Sequence, residues 1–153
     1  MSLIELLVVV AILAIIVAIG TAYYVGALTR ARQKRTVADM RIIATAWEAR
    51  ATETHSYQIA GFTFPGRTVP YGALRAALVP AYAQSLPAMD GWGRPFQFGF
   101  SADAEEGSYA IRSAGRDGRF DDTYTPAITT DPDCDIVFAD GSFVMFPDTV
   151  QSD

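Results

Sequence analysis

Fourteen consecutive residues, Leu6 to Ile19, carry no polar side chain, and after Glu5 no charge appears until Arg30. Drawn as a helix, Leu6 to Thr29 covers roughly 36 Å, enough to cross a bilayer core of about 30 Å. A helix that is apolar all round must be buried all round, in lipid or inside an assembly. The one acid at its start, Glu5, costs roughly 2.5–3.5 kcal/mol deep in an apolar phase unless it finds a partner. Two readings follow from the residues. Glu5 is the polar lip of an anchor, or it awaits a cation from another copy, such as the α-amino group of residue 1 about one turn away.

Residues 1–29 form this apolar segment, and residues 30–54 continue the same helix in amphipathic form. Val37, Met40, Ile43, Ala44, Trp47 and Ala51 recur at spacings of three and four, and neither Pro nor Gly interrupts Thr29 to Thr54. Thr54-His55-Ser56 reads as the helix stop. His55 has no second His or Cys near it in the sequence, which argues against metal or acid–base work there. Charge is uneven: six basic residues against three acidic ones between Arg30 and Glu53, then thirteen acidic against four arginines from Asp90 onward. By the positive-inside rule, Arg30, Arg32, Lys34 and Arg35 suit a cytoplasmic leaflet.

The remaining residues, 55–153, suffice for one modest domain. Ser56 to Pro70 reads as an ordered loop, followed by a short helix 71–79 that stops before Pro80. Phe96, Phe98 and Phe100 alternate with Gln97 and Gly99, and after a turn at Asp103 to Gly107 come Tyr109 and Ile111. Both are half-buried strand patterns. Ile136–Ala139 and Ser142–Phe146 flank Asp140-Gly141, the pair that a type I′ hairpin turn prefers. With one cysteine, Cys134, an internal disulfide is impossible, and a lone thiol reads as a small buried apolar group. The fold class expected is α+β, a long N-terminal helix packed on a small antiparallel sheet with an acidic loop.

Six aspartates fall in the nineteen residues from Asp117 to Asp135, with Gly115 and Gly118 nearby. Oxygen-rich irregular loops suit calcium, which takes six to eight oxygens. The spacing is not an EF-hand, and a solvated loop whose Asp residues end turns fits the composition too. No nucleophile–base constellation, phosphate-cradling glycine loop or paired His and Cys supports an enzyme. Net acidity argues against direct nucleic-acid binding by the domain.

Ser2-Leu3-Ile4-Glu5-Leu6-Leu7-Val8-Val9-Val10-Ala11-Ile12 resembles the mature N-terminus of type IV pilins and type II secretion pseudopilins. Met1 stands where most members have Phe, and Ala22 where many have Pro. Leu78-Val79-Pro80-Ala81-Tyr82, Leu86-Pro87 and Asp90-Gly91-Trp92-Gly93-Arg94-Pro95-Phe96 are similar to the major, G-type pseudopilin, with Gly91 replacing Pro and Phe96 replacing Tyr. Ser113-Ala114-Gly115-Arg116-Asp117-Gly118 and Asp131-Pro132-Asp133-Cys134-Asp135-Ile136 resemble its calcium loop, whereas the final strand extends beyond that pattern.

The resemblance implies a type IV pilin-like fold and a homopolymer built through the N-terminal helix. Met1 would be the mature, N-methylated residue left by prepilin peptidase, and Glu5 would pair with the Met1 amine of a neighbouring copy. It implies a single pass in the bacterial inner membrane before assembly and a periplasmic or extracellular filament afterwards, with the basic cluster exported despite its sign. Partners would be an assembly platform protein and minor pseudopilins, and the function a pseudopilus driving secretion. It also implies structural calcium, with Asp117 and Asp135 as leading ligands, then Asp133, then Asp121 and Asp122, completed by a carbonyl from Ser113 to Arg116. A surface type IV pilus for adhesion, motility or DNA uptake, and a non-polymerising membrane-anchored calcium module, are the alternatives.

Overall fold

The computed structural model describes residues 2–57, 59, 68–101, 108–121 and 126–148. Met1, Asp122 and the turn expected at Asp103 to Gly107 lie outside them. The elements in order are α1 (Leu3–Thr54), β1 (Thr68–Val69), α2 (Tyr71–Leu78), β2 (Gln97–Ser101), β3 (Ser108–Ser113), β4 (Ala127–Thr129), β5 (Ile136–Ala139) and β6 (Ser142–Pro147). The class is α+β, as expected. The chain divides into two compact units, Met1–Ala31 and Arg32–Asp153, and α1 contributes to both.

In the second unit the amphipathic half of α1 lies on the sheet. Val37, Met40, Ile43, Ala44, Trp47 and Ala51 are all buried, so the stripe seen at spacings of three and four is the inward face. Trp47 is its anchor. Its ring lies 5.0 Å from that of Tyr109 and 6.5 Å from that of Phe98. Its indole N–H donates to the Tyr57 carbonyl at 2.9 Å, so the large apolar ring is buried without stranding its donor. Leu74 and Leu78 of α2 join the same core.

The sheet runs β1-β2-β3-β5-β6-β4. Alternation in β2 and β3 sends Phe98, Phe100, Tyr109 and Ile111 into the core, and the antiparallel register places Phe98 opposite Ile111 and Phe100 opposite Tyr109. The β5–β6 hairpin turns at Asp140 (φ 47°) and Gly141 (φ 82°), the two positive angles of the type I′ turn. Two strands depart from the expected pattern. β1 arises inside the stretch read as loop, pairing with β2, and β4 pairs parallel with β6, so the sheet is mostly rather than wholly antiparallel. At two and three residues both are too short to show a period in sequence, and their partners define them.

One close approach sets the seat of α1. The turn at Asp90 to Arg94 presses its backbone against that of Arg32, and a Cβ at Gly91 would fall inside the van der Waals envelope of the Arg32 carbonyl. The Gly91 amide donates to the buried Thr36 hydroxyl at 2.9 Å, and that hydroxyl donates to the Arg32 carbonyl at 3.0 Å. Backbone on backbone leaves no rotamer to relieve a clash. Gly91→Ala is therefore expected to destabilise this unit by about 3 kcal/mol, at the upper end of the overpacking range, read as a lowered midpoint in denaturant unfolding.

A second link joins α1 to β3: the Tyr109 hydroxyl donates to the Glu48 carboxylate. Burial, then this bond, pushes the Tyr109 phenol far above its ordinary value of 10.0. The folded state resists deprotonation that the unfolded chain undergoes near pH 10. Stability is thus fully present below pH 10 and falls as pH rises above it. Tyr109→Phe should cost about 2 kcal/mol at neutral pH, the scale of a hydrogen bond to a charged group, and flatten the loss of stability above pH 10 in alkaline melts.

Candidate functional site

In the first unit the site expected around Glu5 begins as a helix cap. The Glu5 carboxylate accepts the Ser2 amide at 2.7 Å, the Ile4 amide reaches the Ser2 hydroxyl at 3.4 Å, and the amides of Glu5 and Leu6 bond the Ser2 carbonyl. Ser2-x-x-Glu5 is the capping-box spacing, a signal that reading Glu5 only as an assembly acid passes over. The negative charge also sits at the helix N-terminus, where the peptide dipoles favour it. Downstream, Leu3, Ile4, Leu6, Leu7, Ile12 and Ile16 are each at least half exposed, and an 18-residue window of mean hydropathy 3.1 is 0% buried. The helix is long and apolar enough to cross a membrane. Met1, the expected partner of Glu5, lies outside the described residues.

In the second unit the two acidic segments lie side by side, and Asp90 organises their approach. This carboxylate is 3% exposed, accepts the amides of Trp92 and Arg94 at 2.9 Å each, and accepts the Ser113 hydroxyl at 2.6 Å. It thereby fixes the turn carrying Trp92, whose ring packs against the core, to the end of β3. The Arg94 guanidinium then donates to the Gly115 carbonyl at 2.8 Å. Gly115 (φ 59°) packs so tightly on the other segment that a Cβ would lie 2.5, 3.0 and 3.1 Å from the carbonyl oxygens of Cys134, Asp133 and Pro132. Only glycine satisfies both that angle and that gap. Asp90 and Arg94 carry the loop geometry although their sequence signal is modest: an Asp followed by Gly-Trp-Gly, the composition of an Asx turn.

The expected calcium ligands are placed as follows. Asp117 accepts the Arg119 amide at 2.9 Å, closing its own turn. Asp135 is fully buried and accepts the Asp121 amide at 3.1 Å, tying the two segments together. Asp133 faces Arg116 in a two-point ion pair, Nε to Oδ1 at 2.7 Å and Nη2 to Oδ2 at 2.5 Å. That guanidinium holds the Asp133 carboxyl below its ordinary range, and Asp133 raises Arg116 in turn. Asp122 lies outside the described residues. Among the described residues no three His, Cys, Asp or Glu side chains are grouped to hold a metal ion. In this arrangement Asp117 and Asp135 accept a turn amide and a tie amide, and Asp133 is paired with an arginine. Cys134 is only partly buried, with the Thr129 hydroxyl 3.4 Å from its sulfur.

Because Asp90 satisfies three donors in a dry setting, removing it strands them. Asp90→Ala should destabilise the second unit by about 3 kcal/mol, the scale of a broken buried network, and the loss should appear in near-UV circular dichroism as a loosened Trp92. The chain matches no protein-family model, no curated protein and no solved structure.

Proposed function

We propose that the chain is the structural subunit of a type IV pilus-like filament, closest in kind to the major pseudopilin of type II secretion. The observation that carries this reading is the exposed apolar surface of α1 from Leu3 to Leu28. Such a surface is stable only in lipid or against other apolar surfaces. Residence in the inner membrane followed by stacking with other copies supplies both in turn. The N-terminal motif around Glu5 adds the register. In a filament, the Glu5 carboxylate would exchange the Ser2 amide for the Met1 amine of a neighbouring copy, a charge-assisted contact made in place of a neutral one. The β-rich unit would face outward, and the work of the filament would be mechanical, displacing cargo rather than transforming it. Prepilin peptidase, an assembly platform and minor pseudopilins belong to the same proposal. So does structural calcium at the acidic segments, with Asp117 and Asp135 as its leading ligands and Asp133 behind them.

Glu5→Val and Glu5→Gln test the register. Both variants should insert in membranes at normal yield, since neither adds a charge to the helix, while filaments in sheared material counted by electron microscopy should fall at least tenfold, on the order of one lost charge-assisted contact per subunit. Normal filament yield from Glu5→Gln would refute the pairing. Deleting the gene separates the two filament classes: lost secretion marks a pseudopilus, lost twitching or adhesion a surface pilus.

A further inference from the structure

We propose that Tyr23, Gly26 and Arg30 form a seat for one phospholipid headgroup, the Arg30 guanidinium taking the phosphodiester and the Tyr23 phenol the glycerol ester carbonyl below it. The seat rests on the membrane residence of α1 proposed above, and it names the lipid chemistry met at the C-terminal end of the span.

Length sets the placement. From Glu5 to Tyr23 the helix rises about 27 Å, close to the thickness of a hydrocarbon core. The one hydroxyl between them, on Thr21, donates to the Val17 carbonyl at 2.7 Å and so needs nothing from its surroundings. Tyr23 is 77% exposed and is the first residue after Glu5 to carry a polar atom outward. A phenol at such a boundary keeps its ring among acyl chains and its hydroxyl among headgroups. Arg30 follows two turns later, within about 20° of the same face. Its guanidinium folds back along the helix, with Nη1 4.0 Å from where a Cβ would stand at Gly26. The charge therefore sits near the level of Gly26, about 4.5 Å beyond Tyr23 along the axis. Phospholipids present their groups in that order, ester carbonyls next to the acyl chains and phosphate outside them. Gly26 leaves the helix surface bare between phenol and guanidinium, so headgroup oxygens can reach both. Among the described residues the ion pairs are those of Arg35 with Asp39 and Arg116 with Asp133, so no described carboxylate competes for Arg30. A guanidinium with its fork open takes a phosphate through two parallel N–H donors. Val25 and Leu28, exposed beside the seat, offer a surface to acyl chains and nothing to a free phosphate.

Native mass spectrometry of the full chain, taken from vesicles of phosphatidylcholine and phosphatidylglycerol into mild detergent, tests this. The wild type should retain one phospholipid per chain, and diacylglycerol, which lacks the phosphate, should not be retained. Arg30→Gln should lower the retained fraction about tenfold, the scale of one charge-assisted hydrogen bond. Gly26→Leu should lower it as much, because the new side chain fills the bare surface while the charge is kept, whereas Gly26→Ala should leave it unchanged. Tyr23→Phe should lower it about threefold, the scale of a neutral hydrogen bond. None of these variants adds a charge or a helix breaker, so all should stay in the vesicles on carbonate extraction. A wild-type chain that carbonate extracts would overturn the membrane residence and the seat together. Chains that stay inserted while Arg30→Gln or Gly26→Leu retains phospholipid as well as the wild type would overturn the seat alone. Equal retention of diacylglycerol would do the same, as would loss of the retained lipid to excess sodium phosphate, the mark of a guanidinium that takes any phosphate.

Discussion

An apolar side chain left in water forgoes roughly 1.5–3 kcal/mol of burial, and α1 carries a long series of them from Leu3 to Leu28. A domain's entire net stability is of order 5–15 kcal/mol. The exposed helix surface therefore outweighs what the folded unit could contribute to keeping the chain dispersed. The first unit must have a partner medium, and the nature of that medium dominates any account of what the chain does. Glu5 then becomes a question of how an acid is carried into that medium. The capping box answers part of it: an acid already bonded to the Ser2 amide and set at the positive end of a helix dipole enters an apolar phase at lower cost than a bare one.

The second unit follows from the same helix by a change of pattern. Past Arg32 the apolar residues retreat to one stripe, and the sheet supplies what they need. That half of the fold was legible in sequence because the signals are periodic and local. The stripe from Val37 to Ala51, the alternation from Phe96 to Phe100 and the Asp140-Gly141 turn each occupy a window long enough to show 3.6 or 2 as a period. β1 and β4 have no such window. The parallel pairing of β4 with β6 exists only because a non-local partner offers an edge, and no run of three residues encodes that.

The acidic segments were legible in composition and not in connection. Counting carboxylates locates a place where charge must be neutralised, and the glycines suggest a folded loop. Which cation does the neutralising depends on reach across space. Arg116 sits in the middle of one acidic segment and reads there as a spacer between Gly115 and Asp117, yet it is the residue that spans to Asp133. Asp90 was passed over for the converse reason. Its neighbours look like a turn, and the turn conceals that one carboxylate, 23 positions from Ser113, serves both.

Glu5, Asp90 and Asp133 share a chemistry despite their different settings. Each carboxylate accepts donors supplied by this chain, one backbone turn and a serine hydroxyl in one case, a helix start in another and a guanidinium in the third. They differ in how readily the donors can be traded. Asp90 is dry and bound by three donors, so exchange there would dismantle the turn that seats α1. Glu5 and Asp133 are exposed to their surroundings, Asp133 with 38% of its side chain accessible, so a competing cation can approach without unfolding anything. An exposed ion pair is screened by solvent and contributes little net stability. Asp90 builds the fold because it is buried and bound on several sides, whereas Glu5 and Asp133 keep a face open to their surroundings.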